Sequence, residues 1–291
     1  MRRNPATRWA PLGVLLVLSL LGVLTACVAP TFQQGGADGP RMASGAFGVV
    51  CTYSHRGAND PIVHPNMPGM SHSHDFFGNS STDADSTFYS LRAASTTCNR
   101  PEDKSGYWMP TVYDDGTPVA PVKVQLYYNN DRRSDVKPLP PGLKIVAGNA
   151  MATGPQDTHI VAWQCSDNLG SQPSVATPPR CPTGTVLKAV IRFPGCWDGN
   201  AIDSPNHKSH MAYALGTTHD GPCPDGYPVK VVTVNAEFKF PISDGSKVTL
   251  ASGPAYTLHG DFFNGWDSAT LKTLVSKCVA VGVKCSGTST P

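Results

Sequence analysis

Two short segments far apart in the chain carry the same unusual mix of residues, His74-Asp75-Phe76-Phe77-Gly78-Asn79 and His259-Gly260-Asp261-Phe262-Phe263-Asn264-Gly265. Each sets an imidazole and a carboxylate beside a Phe-Phe pair able to anchor it in a core, then closes in turn residues. Between them lies a third polar cluster, Asp198, Asp203, His207 and His210, in a stretch that opens Cys196-Trp197-Asp198-Gly199. Polar residues this dense beside large apolar anchors are costly to bury without purpose. The three clusters therefore read as parts of one assembled site.

Such a site offers two kinds of chemistry. In an acid–base scheme Asp75, Asp203 and Asp261 serve as acid, base or nucleophile, while His74, His210 and His259 orient them or share protons. All but Glu102 and Glu237 of the 21 acidic residues are Asp, so a catalytic carboxylate pair is expected to be Asp with Asp. Glycoside hydrolysis would need two of them roughly 5 to 10 Å apart. In a metal scheme His72-Ser73-His74 places both imidazoles on one face of an extended segment, where they can chelate a divalent cation. A third His then completes the three-ligand set of catalytic zinc. The ligand pool is His72, His74, His207, His210 and His259, with a divalent metal as the candidate cofactor. His207 and His210 converge on one turn of helix or a tight loop, and His259 and Asp261 share one face of an extended segment. A neighbouring Asp would fix the tautomer in either scheme.

Trp108, Trp197 and Trp266, with Asp198 and Asn264, form a candidate binding set, because sugar rings stack on aromatic faces and leave their hydroxyls to polar groups. A third reading is therefore a non-catalytic wall-binding module whose clusters hold sugar hydroxyls or a structural calcium ion. Other site types lack support. His72-x-His74-Asp75 matches only part of the metal motif of metallo-β-lactamase-type hydrolases, since Phe76 stands where further polar ligands are wanted. A copper histidine brace needs a mature N-terminal His. Gly-x-Ser-x-Gly, P-loop and G-x-G-x-x-G patterns do not occur.

The elements that must position these residues begin after an address. Arg2, Arg3 and Arg8 start the chain, Trp9 to Val23 is mostly apolar, and Leu24-Thr25-Ala26-Cys27 resembles the bacterial lipobox, with Cys27 as the lipidated residue and the membrane as its partner. Val28 to Ser44 reads as a flexible tether, residues 45–285 as one domain and residues 286–291 as a tail. Removing Cys27 from 9 cysteines leaves Cys51, Cys98, Cys165, Cys181, Cys196, Cys223, Cys278 and Cys285, an even set that in an exported chain argues for disulfides. Neighbour is expected to pair with neighbour. Without the three leader arginines, the 23 basic residues fall to 20 against 21 acidic ones, a balance that gives no support for nucleic-acid binding.

Strand signals recur at Phe47 to Tyr53, Thr87 to Leu91, Val119 to Tyr128, Leu143 to Ala147, His159 to Gln164, Val186 to Phe193, His210 to Tyr213, Val229 to Phe240 and Lys247 to Leu250. They are β-branched or aromatic runs between Gly/Pro/Asn/Asp loops. One helix is expected from Asp267 or Ser268, with Leu271, Leu274, Val275 and Cys278 on one face and a stop before Gly282. The pattern predicts a mainly β, antiparallel sandwich-like domain with long loops, disulfides and a C-terminal helix.

Several motifs taken together carry a resemblance: Cys51-x3-His55, Asp60-Pro61-Ile62-Val63, Ser71 to Asn79, Gly106-Tyr107-Trp108-x-Pro110, Gly142 to Asn149, Cys196-Trp197-Asp198-Gly199, Asp203-Ser204-Pro205-x-His207-Lys208-Ser209-His210 and His259-Gly260-Asp261-Phe262-x-Asn264-Gly265-Trp266. Over about residues 46 to 285 the chain resembles the secreted domain-of-unknown-function family numbered nineteen-ninety-six, which occurs in actinobacteria and, in fungi, beside WSC carbohydrate-binding modules. At Cys223-Pro224 it departs from the His-Pro common in that family. The resemblance implies a polysaccharide or cell-wall setting and supplies no mechanism. The function expected from sequence is thus a lipid-anchored cell-envelope protein, on the outer face of the membrane, that binds and hydrolyses a glycan through a His/Asp site, with a metallohydrolase as the alternative.

Overall fold

The computed structural model describes residues 45–130, 135–166, 172–216 and 221–285. These belong to one compact unit, Gly39–Pro291. Cys27, the leader before it and the tether after it lie outside the described residues.

The longest strand explains the architecture. β1 (Ala46–Gly57) pairs along Ala46 to Thr52 with β4 (Lys123–Asn129). From Tyr53 to Gly57 it pairs instead with β2 (His74–Gly78), with a register break between Tyr53 and His55. A bulge of that kind bends a strand and strengthens its twist, so one strand can serve two halves of a sheet. On one side the order runs outward through β2, β3 (Gly106–Pro110), β9 (His259–Phe263) and β5 (Lys144–Gly148); on the other it runs through β4, β8 (Thr233–Lys239), β7 (Leu187–Arg192) and β6 (Val161–Cys165). All these pairings are antiparallel.

The two halves meet face to face through the side chains that alternate inward. Phe77 of β2 packs on Phe238 of β8 at 5.2 Å between ring centres, and Phe262 of β9 packs on Phe193 at 6.0 Å. Gly260 is what lets β9 come this close: a Cβ there would stand 2.6 Å from Ile191 Cδ1 and 3.3 Å from the Trp108 carbonyl oxygen. The interior of the sandwich thus takes Phe77, Tyr107, Phe262 and their like, while the outer face of the same strands carries His74, Phe76, Trp108, Asp261 and Phe263.

The C-terminal helix begins where expected. Asp267 accepts a hydrogen bond from the Thr270 amide and caps α2 (Ser268–Leu274), which continues as a wider turn over Val275–Val279. The run Thr87 to Leu91 departs from expectation. It opens the helix α1 (Phe88–Ala93), because the Thr87 and Ser90 side chains each satisfy the other's backbone amide in a capping box, which outweighs a short β-branched and aromatic signal. Four disulfides, Cys51–Cys98, Cys165–Cys181, Cys196–Cys223 and Cys278–Cys285, join neighbour to neighbour as expected. They fit an oxidising compartment outside the cytosol. No helix among the described residues is long and apolar enough to cross a membrane.

Candidate functional site

β2 and β9 are separated by β3, and their registers bring their first residues into line. His74 lies opposite Pro110, and Asp261 lies opposite Trp108; carrying that antiparallel register on by two residues sets His259 opposite Pro110 as well. Side chains two apart share a face, so His74, His259 and Asp261 rise from the same outer surface. His72, from the loop before β2, closes over them. The ring centres of His72 and His74 are 4.3 Å apart, those of His72 and His259 5.1 Å, and those of His74 and His259 5.9 Å.

The hydrogen bonds of two of these imidazoles fix their tautomers. His74 Nδ1 is 2.9 Å from the Asn59 carbonyl oxygen, and His259 Nδ1 is 2.8 Å from that of Thr257. A carbonyl only accepts, so both Nδ1 atoms carry the proton and donate it, and each Nε2 keeps a lone pair. Orientation of this kind, with Nδ1–H tied to backbone and a lone pair on Nε2, is how proteins set metal-ligating histidines. One ligand atom from each of His72, His74 and His259 lies within 4.8 Å of the others, and the same holds for Asp60, His74 and Asp261. His74 is the shared corner of the two groups.

Burial makes this arrangement expensive as it stands. His74 is fully buried, and its Nε2 has no hydrogen-bond partner among the described residues. Asp261 is 1% exposed and both of its carboxylate oxygens are likewise unpartnered. Loss of hydration pushes the Asp261 carboxyl well above its usual range, and the nearby Asp60 carboxylate adds to the effect. Loss of hydration also holds His74 well below the ordinary imidazole value and His259 down at about 3. His72 is lowered for the same reason. Neutral imidazoles beside the unpartnered Asp261 carboxyl group form a set of atoms that a cation could satisfy.

Asp60 is the member that sequence reasoning missed. Its Oδ1 accepts from the amides of Ile62 at 2.8 Å and Val63 at 3.0 Å, which pins one oxygen and leaves the other for the cluster. Its neighbour Asn59 supplies the carbonyl that orients His74. The available signal was Asn59-Asp60-Pro61, an Asx turn ahead of a buried Ile, which looks like simple turn chemistry.

A pocket of about 300 Å³ opens onto the cluster, and its lining includes His64, His72, His207, Lys208, His259 and Asp261. The third sequence cluster contributes His207 to that lining, and neither His207 nor His210 belongs to the two ligand groups. His207 sits in the left-handed region at φ 58°, a strained conformation for a non-glycine residue. Its Nδ1 donates to Asp203 Oδ1 at 2.9 Å, and Asp203 Oδ2 lies 3.6 Å from Lys144 Nζ. His210 is buried with both nitrogens engaged, one at 2.9 Å from Ser204 Oγ and the other at 2.7 Å from the Lys144 carbonyl, so it holds the loop.

The remaining expected residues stand elsewhere. Asp75 follows His74 directly and so faces the opposite way, into a two-pronged pair with Arg56 at 2.8 and 3.1 Å. That pair engages both oxygens and turns Asp75 away from this cluster. Trp108 and Trp266 are core residues, 0% and 1% exposed, and Trp266 donates its indole N–H to Tyr128 at 2.9 Å. Asn264 is buried and ties the Pro140 carbonyl to the Trp266 amide. Asp198 accepts from the amides of Asn200 and Ala201 in a tight turn, and Trp197, half-buried, donates to the Ala201 carbonyl at 2.6 Å. None of these five offers a face to the pocket.

No curated protein and no solved structure matches the chain. The family model for the domain of unknown function DUF1996 matches residues 60–266, a stretch that holds Asp60, His72, His74, His259 and Asp261 together, and the chain belongs to that family.

Proposed function

We propose that this is an exported cell-envelope protein with a divalent transition-metal centre, formed by His72, His74 and His259 with Asp261 and Asp60 beside them, and that the centre hydrolyses a ligand held in the adjoining pocket. The observation that carries this reading is the pair of unpartnered groups at the bottom of the cluster, the His74 Nε2 atom and both Asp261 oxygens. A cation among them would satisfy all three atoms at once. Nitrogen-rich donors favour zinc, copper or nickel over calcium and magnesium, which prefer oxygen. A metal held on its protein side and open toward a pocket lowers the pKa of a bound water to near 7 and so supplies a nucleophile.

Cys27 is the proposed lipid anchor, and a polysaccharide of the envelope is the proposed substrate class, supported by the lipobox-like leader and by the family's association with carbohydrate-binding modules. A second reading dispenses with the metal. Ligand atoms of Asp60 and Asp261 lie within 4.8 Å of each other, close to the roughly 5 Å spacing of the carboxylate pair in retaining glycosidases. Burial of both carboxylates weighs against it, since a sugar ring must pass between them.

The test is metal analysis by mass spectrometry of protein purified without chelator, followed by polysaccharide digestion. One transition-metal ion per chain, absent from His74→Ala, and product release that stops on chelation are the expected results. Metal-free protein that still releases product would replace the metal centre with the carboxylate pair; metal-free protein without turnover would remove both.

A further inference from the structure

The cluster pocket continues along the strands that build it. Asp261 of β9 lies opposite Val146 of β5, and two residues on Phe263 lies opposite Lys144. Side chains two apart in a strand share a face and stand about 7 Å from each other. The first pair lines the pocket at the cluster, and the second lines another hollow, of about 500 Å³. The same two loops border both. Asp60 and His64 stand at the first and Pro61 and Asn66 at the second, while His207 stands at the first and Ile202 at the second. The two hollows are therefore successive stations of one groove over the outer face of the sheet.

Lys144 ties the two loops together at the second station. Its ammonium donates to the Pro61 carbonyl at 3.0 Å and stands 3.6 Å from Asp203 Oδ2. What the station presents to a ligand is an aromatic ring with polar groups around it. Tyr89 is 82% exposed and meets Phe88 edge to face at 5.7 Å between ring centres. Asn66 and Asp85 add an exposed amide and an exposed carboxylate. Large apolar side chains open to water occur at both stations, Val63 and Met151 at the first and Tyr89 and Ile202 at the second. Apolar surface gathered along a concave face marks what a ligand covers. A sugar ring uses the whole set, its C–H face on the tyrosine and its hydroxyls on the amide and carboxylate. We infer that the second station is a subsite for the sugar unit next to the one held at the cluster, with Tyr89 as its stacking residue. The substrate is then a glycan chain gripped across at least two units, not a single sugar. The inference rests on the glycan reading given above for the identity of the ligand, and the groove itself supplies the length.

The experiment is affinity electrophoresis of the full-length protein, purified without chelator, through gels holding laminarin, xylan, mannan or glycogen. Release of reducing ends from the same polymers and metal content are measured on every sample, alongside Tyr89→Ala and Tyr89→Phe. The expected result is a wild type retarded by at least one polymer, with affinity about tenfold weaker in Tyr89→Ala and kept in Tyr89→Phe. For that polymer KM should rise by a similar factor in Tyr89→Ala, with kcat and metal content near those of the wild type. A polymer that retards Tyr89→Ala as strongly as wild type would overturn the subsite and leave the proposed hydrolytic centre standing. So would a wild type that releases product from these polymers with the same KM in Tyr89→Ala. Retardation by none of the four, without product, would overturn the subsite as well. Metal-free protein without turnover that still binds a polymer through Tyr89 would instead overturn the hydrolytic centre and uphold the subsite.

Discussion

His72 Nε2 and His259 Nε2 stand 3.2 Å apart although 187 residues separate them in sequence. The His259 proton is committed to the Thr257 carbonyl, so the proton between the two rings comes from His72. A shared proton between two imidazoles occupies the position a cation would take. Replacing either of two buried donors should therefore be felt first in metal content. For His74→Ala and His259→Ala the expected outcome is metal binding weakened by about 100-fold or more, beyond the 10- to 100-fold typical of losing an orienting partner, measured by competition with a chromophoric chelator.

Removing Asp261 is expected to separate stability from binding. In metal-free protein its buried, unpaired carboxylate opposes folding, because the ionised form is stranded away from water. Asp261→Asn keeps the shape and drops the charge. Urea unfolding of chelator-treated protein at pH 7 should show the variant more stable than wild type by about 1 to 3 kcal/mol. Added zinc should then stabilise the wild type and leave the variant almost unchanged, since ligand binding to the native state alone raises stability by mass action. A variant less stable than wild type without metal would mean that the carboxylate has a partner in the fold.

Much of this was legible in the sequence and some was not, for reasons that particular residues make plain. The two His/Asp-Phe-Phe segments read as equivalents. They are not, because Asp75 is one residue after His74 and Asp261 is two after His259. In a strand one step reverses the face, so Asp261 joins the cluster while Asp75 turns inward to Arg56. An extended reading already set His259 and Asp261 on one face, and the same alternation applied to His74 and Asp75 sets them on opposite faces. His72-Ser73-His74 pointed correctly to a pair of rings within reach of each other. Asp60 was hidden because its role depends on chain reversal by Pro61, which places it beside residues some 200 positions later. Trp108 and Trp266 read as a binding platform because sequence reports aromatic content and not exposure; Trp266 fills the sandwich interior, and Trp108 is covered on the outer face by Ile62, Phe76, Leu91 and Phe263.

The Arg56–Asp75 pair makes a structural expectation. Asp75 has no exposed side-chain surface and Arg56 retains 29%, so the guanidinium reaches in from solvent to meet a fully buried carboxylate. Arg56→Ala would leave that charge unpaired, at a cost of about 3 to 5 kcal/mol. Arg56→Ala,Asp75→Leu, which removes both members, should recover most of the loss. Metal content should be unaffected in the double variant, because the pair lies on the far face of β2 from His74. Loss of metal from a stably folded double variant would bring Asp75 back into the site.

A buried donor chain sets the last expectation, in pH dependence. Trp266 donates to Tyr128, Tyr128 to Tyr107, and Tyr107 to Asp103 Oδ2 at 2.7 Å, with no exposed atom surface on Asp103. Burial raises the Asp103 carboxyl from 3.8 to about 6 even though the Tyr107 and Ser105 hydrogen bonds pull the other way. A carboxyl raised by folding binds its proton more tightly in the native state. Its contribution to stability is therefore fully present below about pH 3.8 and is lost as pH rises through about 6. The difference in unfolding free energy between wild type and Asp103→Asn isolates this group, since the other titrations cancel. It should fall by about 3 kcal/mol in wild type relative to the variant between pH 4 and pH 7, and stay flat above that. A difference that is constant from pH 4 to 7 would mean that Asp103 keeps an ordinary acidity, and that the tyrosine chain stabilises its charge as fully as water does.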